Sequence, residues 1–177
     1  MELEPGLTAT GLNIQPGQGF QLRGWILPDA KHFIVDLGKD SDNLVLRFNL
    51  RLAGLVDTHA IVCNSKQDGM WGQEEERARF PIEKGEKIKV LFTFGTSELK
   101  VKVEEPLPFK GIEVEEAFDL MKLEEAYLRE LNPPGARIIF DQNRWELEFV
   151  FPNRLGLKSI QYLSYQGDFK FQGLKFL

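Results

Sequence analysis

Apolar and polar positions alternate with a period of two along most of the chain, in short runs rich in branched and aromatic residues. The runs are QLRGWIL (21–27), HFIVDL (32–37), LVLRFNL (44–50), AIVCNS (60–65), IKVLFTF (88–94), LKVKV (99–103), ELEFVF (146–151), SIQYLSY (159–165) and FKFQGLKF (169–176), with ARIIFD (136–141) as one more. Turn formers separate them, among them Pro16-Gly17, Pro28-Asp29, Gly38-Lys39-Asp40, Asp68-Gly69, Lys84-Gly85 and Gly167-Asp168. Alternation over short runs is the signature of a strand with one face inward and one outward. Many such strands at close spacing predict a two-layer antiparallel sandwich rather than a parallel sheet.

One segment breaks the period. Between Glu113 and Leu131 the apolar residues Ala117, Leu120, Met121, Leu123, Tyr127, Leu128 and Leu131 fall within one arc of a helical wheel. Good helix formers fill the remainder, and Asn132-Pro133-Pro134-Gly135 ends the run because proline cannot continue a helix. The expected fold is therefore mainly β, with one inserted α-helix.

Composition sharpens this picture. Of 177 residues, 42% are hydrophobic, and Phe (14) outnumbers Trp (3) and Tyr (3) together. Phe has no polar tip, so many of these rings must lie in a thick apolar layer. The net charge of −5 is unevenly distributed: residues 104–135 hold nine acids against three bases, so the rest of the chain is close to neutral. Such a balance argues against binding to a nucleic-acid backbone. His32 and His59 are too few and too far apart for a histidine-rich metal site, and Cys63, the only cysteine, allows no internal disulfide. No positively charged stretch followed by an apolar run opens the chain, so its own signals point to the cytoplasm, with no membrane insertion.

At LVLRFNLR (44–51), IVCNSK (61–66), WGQEE (71–75) and FPNRLGL (151–157) the chain resembles the galectin carbohydrate-recognition domain. LNIQPG (12–17), PDAKHF (28–33), LGKDSDNL (37–44), ARFP (78–81) and GDFK (167–170) support the likeness, which covers 1–103 and 145–177. The resemblance implies a jelly-roll sandwich, of the concanavalin A-like type, whose concave sheet holds a β-galactoside. It implies a single domain over 1–177, in which residues 104–144 replace a hairpin turn, and it also allows non-classical secretion. A segment of such regular helical composition reads as an engineered addition.

The chemistry of a galactoside site is legible beside the resemblance. A sugar ring presents hydroxyls on its rim and C–H groups on one face, so a binder needs polar forks and an aromatic plate. Trp71 supplies the plate, and Asn49, Arg51, Asn64 and Glu74 match the family's hydroxyl-binding residues. On strand alternation Arg47, Asn49 and Arg51 share a face. Two positions depart from the family: Arg47 stands where it has histidine, and Glu76 where it has a second arginine, with Arg77 one place later. Glu76 is expected to pair with Arg47 or Arg51 and to occupy the groove. Galactoside binding is accordingly expected to be weakened or altered.

Other candidates are weaker. Leu50, Leu52, Ala53, Gly54, Leu55 and Val56 form an apolar string near the site, which the helix is expected to cover as a lid or pocket. Glu124 falls inside the helix's apolar arc, either as a general base raised by burial or as an interface carboxylate reaching water, Arg137 or Arg144. His59 and Cys63 belong to no catalytic motif, and neither enzymatic turnover nor a cofactor is expected. The expected partners are β-galactoside glycans of the lactose kind and a second copy joined through the terminal edge strands. The alternative function is a designed β-sandwich whose added helix forms a structural element, a small-molecule pocket or a protein-binding surface.

Overall fold

The computed structural model describes residues 5–52, 59–80, 84–106, 129–130, 132–140 and 144–177. Thirteen strands make up its named elements: β1 (Pro5–Ala9), β2 (Gly19–Ile26), β3 (His32–Asp40), β4 (Asn43–Arg51), β5 (His59–Gln67), β6 (Met70–Trp71), β7 (Glu75–Phe80), β8 (Lys87–Thr93), β9 (Glu98–Pro106), β10 (Arg137–Phe140), β11 (Arg144–Pro152), β12 (Tyr162–Gly167) and β13 (Phe169–Phe176). They form two antiparallel sheets. One has seven strands in the order β1-β12-β3-β4-β5-β6, with β7 also paired to β5; the other has six, β10-β11-β9-β8-β2-β13.

The alternating runs become strands because one set of side chains fills the space between the sheets. Phe33 and Phe48 from the seven-stranded sheet meet Phe20, Phe92 and Phe169 from the six-stranded one, all buried. Phe33 stacks on Phe169 at 4.3 Å between ring centroids, and Phe48 packs edge-on against Phe92 at 5.6 Å. Each such pair adds about 0.5–1.5 kcal/mol beyond its burial. This is the apolar layer that the phenylalanine count requires.

Three strands escape the alternation rule. β1 and β6 are short, and β7 (EERARF) is charged and loses its alternation at the irregularity opposite Ile61 and Val62. Conversely, SIQYLSY becomes a strand only from Tyr162, with Ile160 bridging singly to Ile14.

The segment between β9 and β11 leaves and rejoins the six-stranded sheet at neighbouring positions, since Pro106 lies opposite Arg144. ARIIFD supplies β10, which pairs along β11 and extends that sheet. The helix expected over 113–131 lies outside the described residues apart from Arg129 and Glu130, which are helical. Glu124 lies outside them too.

Candidate functional site

The site grows from local turns. Counting back from the Asp40–Asn43 turn, β3 and β4 pair so that Asp36 lies opposite Arg47. Alternation then puts Phe48 and Leu50 into the core and leaves Arg47, Asn49 and Arg51 on the other face. At the end of β5, Asp68 (φ 50°) and Gly69 (φ 79°) both adopt positive φ, as a tight two-residue hairpin requires. That hairpin folds β6 back so that Trp71 lies opposite Lys66.

These elements line a pocket of about 230 Å³, walled by Arg47, Asn49, Arg51, Val62, Asn64, Trp71 and Glu74. All the polar residues singled out in the sequence converge there except Glu76. Trp71 is 43% exposed, and its indole forms one wall of the pocket. Arg51 donates to Glu74 at the exposed wall. Asn64 Oδ1 accepts from the Ser65 amide (2.8 Å) and from Arg154 Nη1 (3.4 Å), which leaves its amide nitrogen for a ligand. The Asn49 Oδ1 is buried and accepts no hydrogen bond. A buried acceptor without a donor is costly, and a ligand hydroxyl would satisfy it.

Arg47 is held from below. Its Nε (2.9 Å) and Nη2 (2.8 Å) donate as a fork to Asp36, a carboxylate buried in the groove floor. The fork consumes one edge of the guanidinium and leaves Nη1 outside it. The same guanidinium lies 4.4 Å from the centroid of the Trp71 ring. Asp36 was not apparent as a site residue in the sequence, although the hairpin register points to it.

Two expectations are corrected. Glu76 does not pair with Arg47 or Arg51; it accepts two hydrogen bonds from Arg79, at 2.8 and 3.3 Å. The reason is an irregularity in the β5–β7 ladder between Ile61 and Val62, which brings residues 76 and 79 onto one face while Asp36 and Glu74 pair with the two groove arginines. The apolar string also divides. Leu50 and Leu52 are fully buried in the sandwich core, Leu52 tied by its amide to the Lys31 carbonyl, while 53–58 lie outside the described residues.

Arg77 faces away from the groove, as alternation predicts. With Arg154 it lies over the Phe151 ring, and Arg154 donates to Glu75 at 2.9 Å. Cys63 is buried beneath this cluster, and burial pushes its thiol up to about 12. His59 is buried as well. The described residues contain no group of three or more His, Cys, Asp or Glu that could hold a metal ion.

Asn132 is a residue that sequence reasoning treated only as a helix stop. Its Oδ1 accepts from the Arg79 amide (2.7 Å) and its Nδ2 donates to the Arg79 carbonyl (2.9 Å). One side chain thus pairs both backbone groups of an edge residue, as a neighbouring strand would, and ties the chain just before β10 to the sheet that carries the groove.

Comparisons with known proteins agree with this architecture. The family described as galactoside-binding lectin matches residues 5–110. The chain is 38% identical over 174 residues to a 16 kDa beta-galactoside-binding lectin of Gallus gallus, covering 98% of this chain and 99% of that one. The structure of CG-16, a homodimeric agglutinin from chicken liver, superposes with a TM-score of 0.68 at 37% identity, covering 97% and 98% of the two chains. The toad ovary galectin in complex with thio-digalactose gives 0.66 at 29% identity, covering 98% and 99%. None of them bears out an engineered origin for residues 104–144. A β-sandwich whose seven-stranded sheet carries a tryptophan plate and two arginine–carboxylate pairs, matched over more than half the chain by the family's sequence pattern, places this chain in the galectins, the galactoside-binding lectin family.

Proposed function

We propose that the chain binds β-galactosides in the groove of the seven-stranded sheet, with recognition altered at Arg47 and Glu76. The observation that carries this reading is the convergence of Trp71, Asn49, Asn64 and the Arg51–Glu74 pair around one pocket, with the Asn49 acceptor still unsatisfied. Galactose lays its C–H face on Trp71, while hydroxyls on its rim reach Asn49 Oδ1, the Asn64 amide nitrogen and the Arg51–Glu74 pair. The toad ovary galectin, whose structure holds thio-digalactose, supports this substrate class.

Geometry supports the alteration. Arg47, committed by its fork to Asp36, offers only Nη1 to the axial hydroxyl, and its guanidinium sits against the indole where the sugar must lie. A ligand therefore competes with a cation–π contact worth about 0.5–1 kcal/mol at an exposed site. Glu76, drawn aside by Arg79, leaves the groove without the second arginine. The chain binds lactose, but more weakly than a galectin carrying histidine at position 47. Two copies joined at the terminal edge strands β1 and β13 would present two grooves, an arrangement supported by the homodimeric chicken agglutinin.

Calorimetric titration with lactose tests the reading. Heat of binding at millimolar sugar, abolished in Trp71→Ala and enhanced in Arg47→His, is the expected outcome. Absence of heat in the unmodified protein, or full binding by Trp71→Ala, refutes it.

A further inference from the structure

The outer face of the six-stranded sheet carries a feature that the groove does not use. Three adjacent strands, β2, β8 and β13, contain five cations and no acid at all: Arg23, Lys87, Lys89, Lys170 and Lys175. Register places Lys170 and Lys87 directly opposite Trp25 on its two sides, and both ammonium groups lie 5.6 Å from the indole centroid. Arg23 and Lys175 continue the array along the strands. Neighbours two residues apart on a strand stand about 7 Å apart, and the two lysines flanking Trp25 are separated by two strand spacings, about 10 Å.

The rest of the same sheet is built otherwise. On β9 and β11 three outward acids lie against bases: Glu104 with Lys89 and Arg144, Glu146 with Lys102 and Arg144, Glu148 with Lys100. No carboxylate among the described residues pairs with Lys87, Lys170, Lys175 or Arg23. The Arg23 Nε is moreover buried without a hydrogen-bond partner, and Arg23 stands directly opposite Lys89, a like-charge pair that costs stability. Gly173, at an irregularity in β13, leaves room for this guanidinium, since a Cβ there would lie 3.1 Å from its Nη2.

We propose that this face is a second binding site, for a sulfated polysaccharide. Its charge is that of an anion receptor, and a strand ladder with cations about 7–10 Å apart suits an extended chain carrying several sulfates per repeat. A nucleic-acid strand fits less well, because Trp25 is the lone aromatic plate among the basic side chains and both lysines crowd it, whereas successive bases need successive stacking surfaces. The site is independent of the groove on the opposite sheet.

The test is an NMR titration of the full ¹⁵N-labelled chain with a heparin-derived hexasaccharide, following the indole N–H signals of Trp25 and Trp71. The Trp25 signal shifts and that of Trp71 does not, and affinity falls at least tenfold between 50 and 300 mM salt, where screening shortens. Lys87→Gln/Lys170→Gln and the corresponding double Glu variant, each checked for an unchanged fold by circular dichroism, lose at least tenfold in hexasaccharide affinity while lactose heats stay as they were. The proposal is overturned by an unmoved Trp25, by shifts confined to Trp71, or by full affinity in the glutamine variant. Equal affinity for a poly-Glu peptide or a single-stranded oligonucleotide of matched charge overturns it as well.

Discussion

The Asp36–Arg47 fork makes a quantitative prediction. Its two hydrogen bonds, at 2.9 and 2.8 Å, are charge-assisted, and the side chains are 8% and 27% exposed. Exposed ion pairs contribute about 0.2–1 kcal/mol, and breaking a fully buried one costs about 3–5 kcal/mol. A buried carboxylate under a guanidinium that keeps one side open lies between, so a coupling of about 1.5–3 kcal/mol is expected, in the range of hydrogen bonds to charged groups. The assay is a double-mutant cycle by urea denaturation of the unmodified chain, Asp36→Ala, Arg47→Ala and the double variant. With a urea slope of about 1–3 kcal/mol/M, the coupling amounts to roughly 1 M of midpoint. It should persist in 300 mM salt, because the carboxylate is shielded from counterions. A coupling below about 0.5 kcal/mol would mean that the fork behaves as a surface pair and that Asp36 does not immobilise Arg47 in the groove.

Three further outcomes are expected. Asn132→Ala removes two hydrogen bonds from the β7 edge and should cost about 1–2 kcal/mol in denaturation, with faster amide exchange at Arg79; unchanged exchange there would refute the clamp. Because Arg79 holds Glu76 aside, Glu76→Gln should change lactose affinity less than about twofold by calorimetry, and a tenfold change would return Glu76 to the groove. Burial keeps the Cys63 thiol protonated far above the 9.0 of a free one, so a thiol reagent at pH 8.5 should label it only after denaturation. The unfolded state then sheds this proton first, and stability is lost as pH rises above about 9, which alkaline urea titrations would show.

The strand runs and the groove face of β4 were legible because period-two alternation and turn residues are local properties. The positions of Asn49, Arg51, Asn64, Trp71 and Glu74 could be read for the same reason, with the family resemblance assigning their chemistry. The pairing of Glu76 was not legible, because a single irregularity opposite Val62 moves it into Arg79's reach, and nothing in EERARF marks it. Leu50 and Leu52 read as part of an apolar string near the site only while their strand's inward face had no opposing sheet; with the core in place they belong to it.

Charge shows the division most clearly. Sequence alone determined that the acidity resides in residues 104–135 and that the remaining chain is nearly neutral, since such sums need no coordinates. Only the tertiary structure decided where those balanced charges go. Side chains alternate across a strand, so the neutral body separates into a groove whose arginines are matched by Asp36 and Glu74, and an outer face where β2, β8 and β13 align cations without acids of their own. Which strands become neighbours is set by long-range pairing and core packing, and that is information no local window of the sequence contains.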